Sequence, residues 1–184
     1  MRASILPKLF MIVLIAMTAL TAASRPSQAE TLDDQSIQAL YASLETDIKD
    51  KLRMRQQVET RMADNYVLKL DQSTITNGLP PHRSTTTLNK QDMIKSVMKS
   101  YDSISIENSK YEIFDIKYSQ DKKVAYVRNT VSTSGALLMP GNNNNSLPMT
   151  RYKDVEKCQE ALTLVEGTIK FLQTACDSQL MISQ

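Results

Sequence analysis

The chain has 184 residues, with 41% of them hydrophobic and only four glycines, which is material for one ordinary core and not for two. Its 22 basic residues exceed the 20 acidic ones only because Arg2, Lys8 and Arg25 fall in the first 29 residues, where there is no acid; without them 19 basic residues face 20 acidic. A near-neutral remainder with no Lys/Arg cluster gives nucleic acid or an anionic membrane no electrostatic hold.

Residues 1–29 read as a cleavable signal peptide. Arg2 and Lys8 precede an uncharged apolar run from Leu9 to Ala23, and small residues lead to Ser27-Gln28-Ala29. The run is shorter than the roughly 20 residues of a membrane-spanning helix. The expectation is a periplasmic or secreted protein beginning at Glu30, with no membrane attachment after cleavage. Cleavage near Ala23 and an uncleaved anchor are the alternatives.

Thr31 to Asp34 offers capping side chains to a helix whose apolar stripe is Ile37, Leu40, Tyr41, Leu44, Ile48 and Leu52, continuing through Val58 and Met62 with a break near Lys51 to Arg55. Asn65 to Leu70 alternates as a short strand that closes at Asp71 to Ser73, and Arg83 to Thr87 returns as a second. His82, the only histidine, falls in the loop between them and has no companion at ligand spacing. Asn89 caps a short helix with Ile94, Val97, Met98 and Tyr101 on one face. Ser103 to Tyr118 is a long strand with a bulge near Asn108-Ser109, and Val124 to Ser132 runs back along it. Residues 134–150, with four consecutive asparagines, two prolines and two glycines, read as a flexible loop.

The last stretch is a hairpin: Cys158 to Glu166, Gly167, then Thr168 to Cys176. Pairing Val165 with Ile169 sets Thr163 against Phe171, Ala161 against Gln173 and Cys158 against Cys176, so the two cysteines are expected to form a cross-strand disulfide. In this register Ala161, Thr163, Val165, Ile169, Phe171 and Ala175 make the core face. Leu162, Leu164 and Leu172 lie outside with Glu160 and Lys170 at their rim, an apolar patch suited to a homodimer formed through the sheet.

Helix, strand pair, covering helix, then long antiparallel strands argue an α+β domain over residues 30–184, its helices on one face of a curved antiparallel sheet. The order from Ile37 to about Leu180 resembles the nuclear transport factor 2-like superfamily, with its SnoaL-like and ketosteroid-isomerase-like members and their cystatin-like sheet. The stretches that carry it are Ala63-Asp64-Asn65-Tyr66-Val67, Leu88-Asn89-Lys90-Gln91-Asp92-Met93, Lys123-Val124-Ala125-Tyr126-Val127 and Val165-Glu166-Gly167-Thr168-Ile169-Lys170-Phe171. The resemblance implies a sheet rolled into a cone with a pocket at its mouth. By position, Tyr66, Asp115, Tyr126 and Arg128 are the residues that could face such a pocket, and none matches a family catalytic motif.

No phosphate-cradling glycine loop, dinucleotide fingerprint or metal-spaced cluster is present in the sequence, so no cofactor, metal or catalytic residue is expected. The leading expectation is an exported module that binds a small molecule or a protein without catalysis. The alternatives are a cone-pocket isomerase or dehydratase using an Asp/Tyr acid–base pair, and a membrane-tethered component of a secretion assembly of the type IV kind.

Overall fold

Three helices and six strands follow one another as α1 (Asp34–Asp47), α2 (Lys51–Arg61), β1 (Met62–Thr76), β2 (His82–Asn89), α3 (Lys90–Ser100), β3 (Ile104–Tyr118), β4 (Val124–Leu137), β5 (Arg151–Val165) and β6 (Thr168–Ser183). This computed structural model describes residues 30–138 and 150–183. The expected signal peptide and most of the expected Asn-rich loop lie outside the described residues. The loop starts later than its composition suggests, since β4 carries residues 134–137 into the sheet.

The strands form one sheet in the order β2-β1-β6-β5-β4-β3. It is mixed, not wholly antiparallel: β1 runs parallel to β6, while every other neighbouring pair is antiparallel. The parallel pairing inserts the last strand between β1 and β5, and it holds β1 extended well past its expected end at Asp71, to Thr76.

Helix α1 begins where Asp33 accepts the Ser36 N–H at 2.8 Å, and it buries Ile37, Leu40, Tyr41 and Leu44. It stops at Ile48, and Asp50 starts α2 by accepting from Leu52 and Arg53. The break resets the helical phase. Leu52, which continues the stripe on paper, is therefore 75% exposed, while Val58 is fully buried. Asn89 caps α3 through the Asp92 N–H as its spacing predicts, and the Tyr101 hydroxyl, just beyond α3, donates to the Ile48 carbonyl in the α1–α2 turn. His82 is the exposed first residue of β2, paired with Thr74.

The core lies between α1, α2 and the inner face of the sheet, centred on Tyr66, Val127, Leu162, Ile169 and Phe171. Two bulges curve β3 against β4, one at Glu107, a residue from the expected site, and one at Phe114, which turns outward. Opposite the first bulge, a Cβ on Gly135 would lie 1.8 Å from the Ser105 carbonyl oxygen, so this crossing admits only glycine.

The closing hairpin differs from its expected register near the turn. Glu166 and Gly167 both take positive φ, 51° and 72°, which makes a two-residue loop and pairs Val165 with Thr168. Leu162 therefore faces Phe171, and the register shifts by one residue at Leu172 before Ala161 meets Gln173. Beyond that shift Cys158 pairs with Cys176 as expected, and a disulfide joins them. The one-residue slip moves the apolar patch: Leu162 is completely buried in the core, Leu172 is half-buried, and Leu164 is exposed at the hairpin end. The three leucines do not form a shared outer surface, and Ala175, expected inside, is exposed.

Candidate functional site: a cone cavity floored by carboxyls

The inner face of the sheet and helices α2 and α3 enclose a cavity of about 270 Å³. Its upper wall is apolar, made by Met54 and Met62 from α2 and its end, Leu68 and Leu70 from β1, and Met93 and Val97 from α3. Helix α3 has no fully buried residue and covers the opening with its half-buried face, which also brings Ser96 and Ser100 to the cavity.

The opposite wall is polar and comes from β5. Its even-numbered residues face inward, so Glu156, the Cys158–Cys176 disulfide and Glu160 line the cavity in a row, and Asp154 continues the row at one end. Tyr66 and Tyr111 face them from β1 and β3. Among the described residues, no lysine or arginine pairs with any of these three acids.

The environments of the three carboxyls differ. Glu160 receives donors on both oxygens: the Tyr41 hydroxyl and the Asn129 amide on Oε2, and the Thr174 hydroxyl on Oε1 at 3.3 Å. Burial raises its pKa while those donors pull it back. Asp154 accepts from the Ser178 hydroxyl at 2.8 Å, and burial raises it as well. Glu156 has no such set of donors. Burial, then the repulsion of Asp154 and Glu160, push it up to about 7. The row thus holds one carboxyl whose burial is partly offset by three donors and one poised to be protonated near neutral pH. The tyrosines are driven in the same direction: burial and the facing glutamates hold Tyr41, Tyr66 and Tyr111 protonated, well above the usual phenol range.

Of the four positions expected in the pocket, only Tyr66 is there, 2% exposed. Asp115, Tyr126 and Arg128 lie on the outer face of the sheet, because their neighbours Ala125 and Val127 are the ones turned inward and buried. There Arg128 donates to Asp115 at 3.0 Å and Lys117 lies 3.2 Å from the same oxygen, holding Asp115 below the usual carboxylate range. These three form an ordinary solvated cluster beside Gln159 and Gln173, and an acid–base pair of Asp115 with Tyr126 is not available to the cavity.

Glu156, Glu160 and Tyr41 escape a reading of motifs because they form none. The alternation that reveals them is nevertheless in the chain: Asp154, Glu156, Cys158 and Glu160 recur at every second position, so the face that holds the cystine holds the acids. Placing Glu160 at an outer rim follows from the same one-residue slip that moved Leu162. Glu156 and the two cysteine sulfurs gather within 4.8 Å of one another, but with both sulfurs committed to the disulfide they do not make a metal site.

No protein-family profile and no curated protein sequence matches the chain. Solved structures do match, and they define the fold as nuclear transport factor 2-like. A nuclear transport factor 2-like protein from Cytophaga hutchinsonii superposes with a TM-score of 0.50 at 15% identity, covering 79% of this chain and 98% of its own. A nuclear transport factor 2-like protein of unknown function in nutrient uptake from Rhodospirillum rubrum gives 0.53 at 12% identity, covering 79% and 98%. A candidate scytalone dehydratase from Novosphingobium aromaticivorans gives 0.50 at 9% identity, covering 78% and 82%. At these identities the likeness is one of fold, and the fold serves proteins of different activity.

Proposed function

We propose that the protein is an exported small-molecule-binding module whose cone takes a compact ligand with an apolar body and a cationic or strongly hydrogen-bond-donating end. The observation that carries this reading is the pair Glu156 and Glu160 in the cavity wall, with Asp154 next along the same strand face, facing an apolar wall and without a basic partner. Enclosed carboxyls of one sign repel each other and raise one another's pKa, and a ligand that brings a positive charge or donors relieves both costs. The apolar wall supplies non-specific affinity and the row supplies orientation. Export rests on the pattern of residues 1–29, and a disulfide accords with an oxidising compartment.

The test compares primary amines on small cyclic hydrocarbons with the alcohols of the same skeleton, by calorimetry and by the rise in melting temperature. The amine binds more tightly than the alcohol, and Glu160→Gln removes the difference. Equal weak binding of both, unaltered in the variant, rejects the reading. N-terminal sequencing of the exported species should begin at Glu30.

One observation favours a second reading, a cone-pocket enzyme. A carboxyl that titrates near 7 beside Tyr66 has the acidity that proton transfer at neutral pH requires. Turnover of a carbonyl or hydroxyl ligand that is lost in Glu156→Gln would support it.

A further inference from the structure

The disulfide is buried, with Cys158 4% and Cys176 7% exposed, but it faces a cavity and not packed side chains alone. Both of its residues line the cone cavity, and the Glu156 carboxyl, two positions along β5 on the same face, lies within 4.8 Å of both sulfur atoms. A purely mechanical cross-link needs no acid at that place. A disulfide about to be opened does, because the sulfur that leaves carries a negative charge, and beside buried carboxyls with no basic residue in the lining that charge is unstable until a proton reaches it.

We propose that Cys158–Cys176 is a thiol–disulfide exchange centre, with Glu156 as its proton carrier, for a small thiol or dithiol admitted through the cavity. The thiolate of the incoming molecule forms a bond to one cystine sulfur. The S–S bond breaks, and the other sulfur departs with the electron pair and takes the proton of the Glu156 carboxyl. The second thiol of a dithiol, its own proton passing to the Glu156 carboxylate, then attacks the mixed disulfide. That releases the second protein sulfur, which takes the proton from Glu156. The cystine gains two electrons and two protons, and the dithiol leaves as its cyclic disulfide.

The surroundings of Glu156 suit this role. Asp154 and Glu160 on β5 press it toward the protonated form, Tyr66 on β1 and Tyr111 on β3 are neutral phenols, and Thr174 on β6 is uncharged. Helix α3 brings only apolar side chains and serines, and no lysine, arginine or histidine among the described residues lines the cavity to hold Glu156 as an anion. Its titration near neutrality lets it give up and regain a proton within one cycle.

The probe is dithiothreitol acting on the folded, oxidised protein between pH 5.5 and 9, with the free thiols trapped by alkylation and counted by mass. The rate is divided by the concentration of probe thiolate at each pH. For the unaltered protein this normalised rate falls as pH rises through about 7, where Glu156 loses its proton. In Glu156→Gln it drops by about a hundredfold at pH 6, the lower end of what a positioned acid contributes, and its break near 7 disappears. Glu156→Asp restores part of both. An unchanged rate and profile in Glu156→Gln overturns the proposal. So does reduction that proceeds only as fast as the whole domain unfolds, which marks a structural cross-link. If Glu156→Gln fails to fold, the profile of the unaltered protein decides alone, and a normalised rate independent of pH overturns the proposal.

Discussion

Tyr41 on α1 donates its hydroxyl proton to Glu160 on β5, across 119 residues of sequence, and so clamps the first helix to the carboxyl row of the cavity. The contact is reinforced at the ring, which lies tilted against Tyr111 at 5.6 Å and meets Phe171 edge-on at 6.2 Å. Replacing Tyr41 with Phe keeps those ring contacts and removes one donor from an enclosed carboxylate. The loss should be about 1–3 kcal/mol in urea denaturation at pH 8. It should shrink in acid, because the donor favours the ionised form of Glu160 and has nothing to favour once that carboxyl is neutral.

Stability should fall as pH rises from about 5 to 8. Glu156 titrates at about 7 in the folded protein against an ordinary value of 4.5, so the folded state binds the extra proton in that window. Below the ordinary value Glu156 is protonated in both states and its penalty is absent; above about 7 it is ionised in both and the full penalty applies. The carboxyls of Glu30, Asp33 and Asp50 are shifted downward and act in the opposite sense, but only in stronger acid. Scanning calorimetry should therefore find a higher melting temperature near pH 5 than near pH 8, and Glu156→Gln should flatten that slope.

Leu162 is an anchor of the core, not of a subunit interface. Leu162→Ala should cost about 2–5 kcal/mol. Leu162→Asp should unfold the domain outright, read as loss of the cooperative melting transition. A folded, well-melting Leu162→Asp protein would contradict the hairpin register.

Removing the cross-link in a Cys158→Ala/Cys176→Ala protein should lower stability by about 3 kcal/mol, since the cysteines close a loop with a sequence separation of 18. The same protein should retain the Leu162–Phe171 pairing, because the two-residue Glu166-Gly167 turn holds that register independently. Differential scanning calorimetry measures the first, and amide exchange of the hairpin the second.

What the sequence disclosed and what it withheld follow from the range of the forces involved. The buried stripe of α1 and the Asn89 cap are local and were legible, as was the pairing of Cys158 with Cys176. The α1–α2 break, where Asp50 caps α2, takes Leu52 off the buried stripe. The hairpin departs from its expected register by one residue near its turn: two positive-φ residues close the loop, and the slip at Leu172 then restores the expected alignment at the cysteines. That single slip concealed Glu160 and turned Leu162 outward on paper. Place in the chain order points Asp115, Tyr126 and Arg128 to the pocket, whereas strand alternation beside buried Ala125 and Val127 puts them outside. The parallel neighbour of β1 lies at the far end of the chain, where no local pattern could announce it.

That parallel neighbour also governs the order of assembly. Because β6 is the strand that pairs with both β1 and β5, the β1–β2 hairpin has no strand of the main sheet to pair with until the sixteen-residue β6 is available. Contacts between distant segments form slowly, since the loop between them must be closed before any bond rewards it. The sheet is therefore completed only when the last strand arrives, with the cysteine pair brought together among the last events.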